Sequence, residues 1–80
     1  MDKKLRKVFV EALELNIEVA DSVEETSSIN TVQGWDSLGH LKLIIALERE
    51  YKIRIETMEA IELIDVLSIK RLIEKKMIKQ

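Results

Sequence analysis

The chain has 80 residues, an apolar fraction of 46 % and a net charge of −2, values that predict one small globular domain over residues 1–80. So short a chain has little room for a deep cleft, which disfavours an enzyme. It has no cysteine and a single histidine, so disulfides and thiolate chemistry are excluded and a metal site is not expected. No apolar run is long enough to cross a bilayer and no apolar signal segment is present, so we expect a cytoplasmic protein without a membrane span.

Apolar residues recur at helical spacing, and the chain has no proline and only two glycines, so the predicted fold class is all-α. Four helices are expected, with a long polar first loop over about 19–35 and a short third helix. A connector over 52–55, with Ile53 and Ile55 turned inward, precedes the third helix. The predicted helices span 3–15, 36–51, 57–64 and 68–77, the last two capped by Thr57 and Ser68.

The second predicted helix is the most apolar part of the chain. Asp36 is a good N-cap, because its carboxylate can accept a hydrogen bond from a free N–H group of the first turn. Apolar side chains cover well over half of the helix circumference from Leu38 to Tyr51. A helix with so wide an apolar surface is expected to be central, with other helices covering it on two sides.

Ser37 is the candidate attachment site for a phosphate-linked group. With Asp36 as N-cap it is the first helical residue, at the mouth of the long loop and at the positive end of the helix dipole. Gly39 leaves the first turn open to a bulky group, and Trp35 is expected to staple the loop to the helix. Such an attachment needs an exposed serine, a carboxylate to help hold a metal ion and an apolar contact, which Ser37, Asp36 and Leu38 supply.

An Asp-Ser pair alone is weak support, since Asp21-Ser22 is a second one in the same chain. No long apolar helix follows Ser22, whereas one follows Ser37. The context of the pair therefore distinguishes the two serines.

Residues 34–55 resemble the core of the acyl carrier protein family. The matching elements are Asp36-Ser37-Leu38, then Leu47-Glu48-x-x-Tyr51 at the end of an apolar helix, then the Ile53-x-Ile55 connector. The four predicted helices and the long first loop extend the resemblance over nearly the whole chain. It implies a four-helix acyl-carrier-like bundle that acts as a monomer.

The resemblance also implies a function and a cofactor. Ser37 would receive 4′-phosphopantetheine from coenzyme A, transferred by a phosphopantetheinyl transferase with magnesium. The thiol of the arm would carry acyl groups as thioesters between acyl-loading and acyl-transferring enzymes. Asp36, Leu38, Trp35 and His40 would contribute to recognition by the transferase and other partners, with His40 on the surface, and Met58 and Ile61 are candidate contacts for the acyl chain or the arm.

Charge sets this chain apart from carriers of fatty-acid synthesis, in which the second helix is strongly acidic and meets basic partner enzymes. Residues 36–51 carry three acidic and two basic side chains, and His40 and Lys42 come early in the helix. This pattern favours a specialised lipid, polyketide or other secondary pathway.

Other functions stay open at this point. An aminoacyl, D-alanyl or peptidyl carrier would use the same arm with another cargo. A helical interaction or DNA-binding module is disfavoured, since only Lys42 and Arg49 are basic in the central helix, and no nucleic-acid partner is expected. An enzyme would have to pair His40 with a distant serine.

Overall fold

The computed structural model describes residues 2–78, which form five helices and no β-strand. The all-α fold class is confirmed for this part of the chain, but it contains one helix more than the four predicted. Within residues 2–78, no helix combines the length and apolar character needed to cross a membrane. The helices are α1 (Lys3–Leu13), α2 (Ile17–Ser22), α3 (Ser37–Tyr51), α4 (Thr57–Glu62) and α5 (Val66–Ile78).

The additional helix, α2, lies where the long first loop was predicted to begin. The Asn16 side chain caps it, accepting a hydrogen bond from the Val19 N–H at 2.8 Å. The Arg6 guanidinium of α1 donates to the carbonyl of Ala20 at 3.2 Å and holds the helix to the bundle. Only Ala20 of the helix is fully buried, so its apolar pattern is too weak to separate from a loop in sequence.

The remaining loop, residues 23–36, is fixed to the bundle at several points. Its side chains Val23, Val32 and Trp35 are buried. Its backbone pairs with the segment before α5, where the Ile29 N–H donates to the Ile64 carbonyl at 2.9 Å. The loop therefore reaches the start of α3 in a defined position.

The core is formed mainly by α1 and α3, which pack against each other, with α5 and the loop completing it. Buried side chains recur at helical spacing on α1 because one stripe of that helix faces α3. The most completely buried side chains are Leu5, Val8, Phe9, Trp35, Leu43, Leu47, Val66 and Ile69.

Helix α3 is covered less completely than its sequence predicts. Its buried residues are Gly39, Leu43, Ile44 and Leu47. By contrast, Leu38, Leu41 and Ile45 are 62 %, 57 % and 47 % exposed. The prediction that other helices cover α3 on two sides is therefore wrong, and an apolar strip of the helix faces outward.

In the connector after α3, Ile53 and Ile55 are buried, as predicted. The Glu48 carboxylate accepts a hydrogen bond from the Ile55 N–H at 2.9 Å. This contact ties the connector to the last turns of α3 and gives Glu48 a structural role.

The predicted caps of the last two helices are each displaced. Helix α4 begins at Thr57 as expected, but its N-cap is Glu56. Helix α5 begins two residues before Ser68, and the Asp65 carboxylate accepts a hydrogen bond from the Ser68 N–H at 2.8 Å. Ser68 reciprocates, since its hydroxyl oxygen accepts from the Asp65 N–H at 3.2 Å.

Candidate functional site

Ser37 is the first residue of α3 and is exposed to solvent. The preceding residue, Asp36, has an extended backbone, and its carboxylate accepts a hydrogen bond from the Gly39 N–H at 2.9 Å. This arrangement confirms Asp36 as the N-cap. It leaves other first-turn N–H groups without helical acceptors, on the end of the helix where negative charge is stabilised.

The Ser37 hydroxyl differs from the other serine hydroxyls of the chain. Within residues 2–78 it has no intrachain hydrogen bond. The Ser22 hydroxyl donates to the Val19 carbonyl at 2.7 Å, so the second Asp-Ser pair is occupied by its own helix. The hydroxyls of Ser27, Ser28 and Ser68 also form hydrogen bonds. The Ser37 hydroxyl oxygen is therefore both accessible to solvent and free of hydrogen bonds.

Gly39 has a different role from the one predicted. It is buried, and a Cβ atom at this position would lie 1.8 Å from the Gly34 carbonyl oxygen and 3.1 Å from Leu13 Cδ2. Gly34 itself has a φ of +84°, which favours glycine. The absence of a side chain at Gly39 thus serves to bring the loop onto α3, and the expectation that it opens the first turn to a bulky group is wrong.

Trp35 fixes the loop immediately before the cap. Its ring is 1 % exposed and meets the Phe9 ring edge to face, with 5.2 Å between centroids. The predicted stapling of the loop to α3 is confirmed by a second contact, in which the Trp35 ring stacks on His40 with 6.2 Å between centroids. The predicted contact with a partner is corrected, because a buried ring cannot reach one, and Trp35 is a positioning residue for Ser37.

His40 connects three segments of the chain. The Trp35 indole Nε1–H, which can only donate, is 2.9 Å from His40 Nδ1, so Nδ1 accepts. His40 Nε2 then carries the proton and donates to the Ala60 carbonyl at 2.8 Å. The ring is half-buried with both nitrogens occupied. The prediction of a surface residue is therefore wrong, and His40 joins the loop and α3 to α4.

The two hydrogen bonds of His40 predict a specific loss of stability in His40→Phe. Phenylalanine fills similar space but leaves the buried Trp35 N–H without a partner, at about 1–3 kcal/mol for the buried group, whereas the Ala60 carbonyl keeps its hydrogen bond from the Leu63 N–H. We expect the free energy of unfolding to fall by about 1–3 kcal/mol, measured by urea denaturation. Amide hydrogen exchange should increase more in α4 than in α1.

Leu41→Phe provides the control, since Leu41 is exposed and belongs to neither hydrogen bond. Its stability should stay within about 0.5 kcal/mol of the original chain. Equal stability and equal amide hydrogen exchange of α4 in the two variants would show that the His40 hydrogen bonds do not hold α4.

The remaining predicted site residues are all exposed apolar side chains. Leu38 follows Ser37 directly, and Met58 and Ile61 are 73 % and 64 % exposed on the outer face of α4. The two α4 side chains therefore do not belong to the core or line an interior path. They instead give α4 an open apolar face.

Helix α4 depends on few contacts for its position. It has six residues and none is fully buried. Besides the His40 hydrogen bond to Ala60, Lys76 of α5 donates to the Glu59 carboxylate at 2.8 Å. This bond and a second from the Glu56 N–H lower the pKa of Glu59, so the carboxylate stays charged and paired.

Two features near the site were missed from sequence. The first is the exposure of Leu41 and Ile45 beside Leu38. The sequence indicates it, because the apolar surface of α3 is wider than four short helices can cover. The second is the tether from Glu48 to Ile55, whose signal was a carboxylate one turn before the end of α3.

The geometry brings Ser37, Asp36 and Leu38 together at the start of α3, with Trp35 and His40 behind them in the bundle. Comparison with known proteins adds no relative to this picture: no protein-family model matches the sequence, and no curated protein matches it significantly. The side chains at the start of α3 therefore carry the functional argument.

Proposed function

We propose that this chain is an acyl carrier protein, modified on Ser37 with 4′-phosphopantetheine. The observation that carries the proposal is the Ser37 hydroxyl on the first turn of α3, which is exposed, forms no hydrogen bond within the described residues and lies next to the N-cap Asp36. The resemblance of residues 34–55 to the acyl carrier family supplies the identity of the arm. In this role the chain is a substrate of its partner enzymes and not itself an enzyme.

The residues present suit the arm. A phosphodiester on Ser37 Oγ carries one negative charge, and the free N–H groups and the dipole of α3 stabilise an anion at that point. The protein itself has no cysteine that could supply a thiol. When bound, the arm supplies the thiol on which an acyl group is held as a thioester.

The surroundings of Ser37 suit an attachment point that enzymes must reach. The first turn is held by the Asp36 cap and, from inside, by Trp35 and His40, so the backbone that carries the serine is held in place. The exposed side chains Leu38 and Leu41 lie next to it and offer apolar contacts. We place this carrier in the cytoplasm, as a monomer serving a specialised lipid, polyketide or other secondary pathway.

The proposal predicts modification at one position. Incubating the protein with coenzyme A, magnesium and a promiscuous phosphopantetheinyl transferase should add a single arm, measured as intact mass. Ser37→Ala should remove the mass gain completely, because no other serine hydroxyl combines exposure with freedom from hydrogen bonds. Ser22→Ala, which changes the other Asp-Ser pair, should load as fully as the original chain. An unmodified original chain, or a gain that survives Ser37→Ala, would rule the proposal out.

A further inference from the structure

A groove of about 360 Å³ runs between α1 and α3. Its apolar lining consists of Val8, Ala12, Ile45 and Ala46. Pockets that hold a ligand usually have volumes of roughly 300–1,000 Å³, so the groove is large enough for one. A bound group that covers this lining removes apolar surface from water, which favours binding.

The two helices that form the groove are antiparallel. Leu13, at the end of α1, lies next to Gly39 near the start of α3. At the other end, the Lys4 ammonium lies 4.6 Å from the centroid of the Tyr51 ring. The groove follows α3 over residues 42–50, a length of about 12 Å at 1.5 Å per residue. This length matches roughly two turns of another helix.

The two walls of the groove carry opposite charges. Glu11 and Glu14 of α1 are exposed on one wall, and Lys42 and Arg49 of α3 are exposed on the other. Within residues 2–78, none of these four side chains has an ion-pair partner within 4.0 Å. Glu50, which is half-buried, adds a third carboxylate at the far end. The groove therefore offers a ligand both an acidic and a basic wall.

The groove faces away from the candidate site. Ala46 is nine positions after Ser37, which at about 100° per residue places the two side chains on opposite sides of α3. Lys42 and Arg49, on the groove rim, are about 140° and 120° from Ser37 by the same measure. Ile45, at about 80°, is the lining residue of α3 nearest to the Ser37 side. A protein bound in the groove would therefore leave Ser37 open to an enzyme.

We propose that the groove binds an amphipathic helix of a second protein, which holds the carrier while enzymes act on the group at Ser37. The purpose of this contact rests on the proposed carrier function, whereas the binding itself does not. A helix lying along two antiparallel helices packs its apolar side chains between them. Its basic flank would face the carboxylates of α1, and its acidic flank would face the cations of α3. The walls select such a helix, because a flank of the wrong sign is repelled.

Other occupants match the two walls less well. A membrane surface or a nucleic acid presents negative charge, which the carboxylates of α1 would repel. In a second copy of the chain, the exposed face of α1 carries Lys3 and Lys7 followed by Glu11 and Glu14. These charges follow one another along a single face and do not lie on opposite flanks, so α1 of a second copy does not fit the groove.

A designed peptide helix serves as the probe. It is crosslinked through its side chains to keep about four turns helical, since short isolated helices are marginal in water. It has a leucine stripe, lysines along one flank and an equal number of glutamates along the other, so its net charge is zero. A control peptide of the same composition has both charges mixed on each flank. Calorimetry measures binding to the full chain, and backbone amide chemical shifts locate it.

We expect the first peptide to bind at least about tenfold more tightly than the control peptide, with the shift changes centred on the groove. Glu11→Lys/Glu14→Lys makes both walls basic, so the dissociation constant of the first peptide should rise at least about tenfold. Glu18→Lys/Glu24→Lys is the matched control, because it makes the same change in net charge at two exposed carboxylates outside the groove. It should stay within about twofold of the original chain.

Exchanging the two walls should rescue binding. Adding Lys42→Glu/Arg49→Glu to Glu11→Lys/Glu14→Lys makes the α1 wall basic and the α3 wall acidic. The first peptide can then lie in the opposite direction, and its affinity should return to within about threefold of that for the original chain. Equal affinity for all four proteins, or shift changes centred outside the groove, would overturn the proposal.

The position of the groove predicts that both sites can be occupied together. With the first peptide at saturation, the transferase should load Ser37 at a rate within about twofold of that of the free chain. A peptide that blocks loading would overturn the proposal, as would a dimer in sedimentation velocity that dissociates in Glu11→Lys/Glu14→Lys. A chain that binds the peptide but is never loaded on Ser37 would instead remove the carrier function and leave the groove as a helix-binding site, so the two failures are distinguishable.

Discussion

Gly39→Ala is expected to destabilise the protein strongly, although alanine is the better helix former. On helix propensity alone the change should stabilise α3 by about 0.5–1 kcal/mol. Here, however, the added Cβ would lie 1.8 Å from the Gly34 carbonyl oxygen, a backbone atom that no side-chain rotation can move aside. The loop would have to leave α3, so steric conflict outweighs propensity.

The expected size is a loss of about 2–3 kcal/mol in the free energy of unfolding, the upper part of the range for overpacking. For a domain of this length that corresponds to a fall in Tm of roughly 8–24 °C. Thermal and urea denaturation measure both values. Because the loop carries Trp35 and Asp36 to the start of α3, loading of Ser37 by the transferase should also slow.

Lys42→Ala is the control for helix propensity, since Lys42 is exposed on the same helix and its side chain faces solvent. It should change stability by no more than about 0.5 kcal/mol. A Gly39→Ala protein as stable as this control would show that the loop and α3 are not in contact as described.

The cap of α3 could be predicted from sequence because it is local, whereas the caps predicted for α4 and α5 were each displaced. The Asp36 cap depends on a residue three positions away, and the start of α3 at Ser37 follows from it. The inward turn of Ile53 and Ile55 is likewise visible in a short alternating pattern. The position of the candidate site was therefore accessible without a structure.

Long-range contacts could not be predicted in the same way. His40 and Ala60 are twenty positions apart, and no periodic pattern relates them. The close approach of the Gly34 carbonyl to Gly39 depends on where the loop returns, which tertiary packing decides. The wide apolar surface of α3 was visible in sequence, but its meaning depended on how much surface α4 covers, and a six-residue helix with no buried side chain covers little.

The second large effect is expected for Trp35→Ala. The indole is 1 % exposed, and removing so large a buried side chain leaves a cavity that costs about 3–5 kcal/mol. A domain of this length has a total stability of about 4–12 kcal/mol at typical values per residue. We therefore expect Trp35→Ala to be partly unfolded at 37 °C, measured by far-UV circular dichroism and urea denaturation. Met58→Ala, which shortens a 73 % exposed apolar side chain, should remain folded.

Trp35→Phe separates the packing of the ring from its hydrogen bond. Phenylalanine keeps an aromatic contact with Phe9 but removes the N–H donor to His40. In a double-mutant cycle with His40→Phe, the double variant should lose less stability than the sum of the two single losses. The expected coupling is about 0.5–3 kcal/mol, because each variant breaks the same hydrogen bond. Additive losses would show that the bond contributes nothing. Coupled losses, with slower Ser37 loading in Trp35→Phe under conditions where it is fully folded, would show that the buried pair positions the exposed serine.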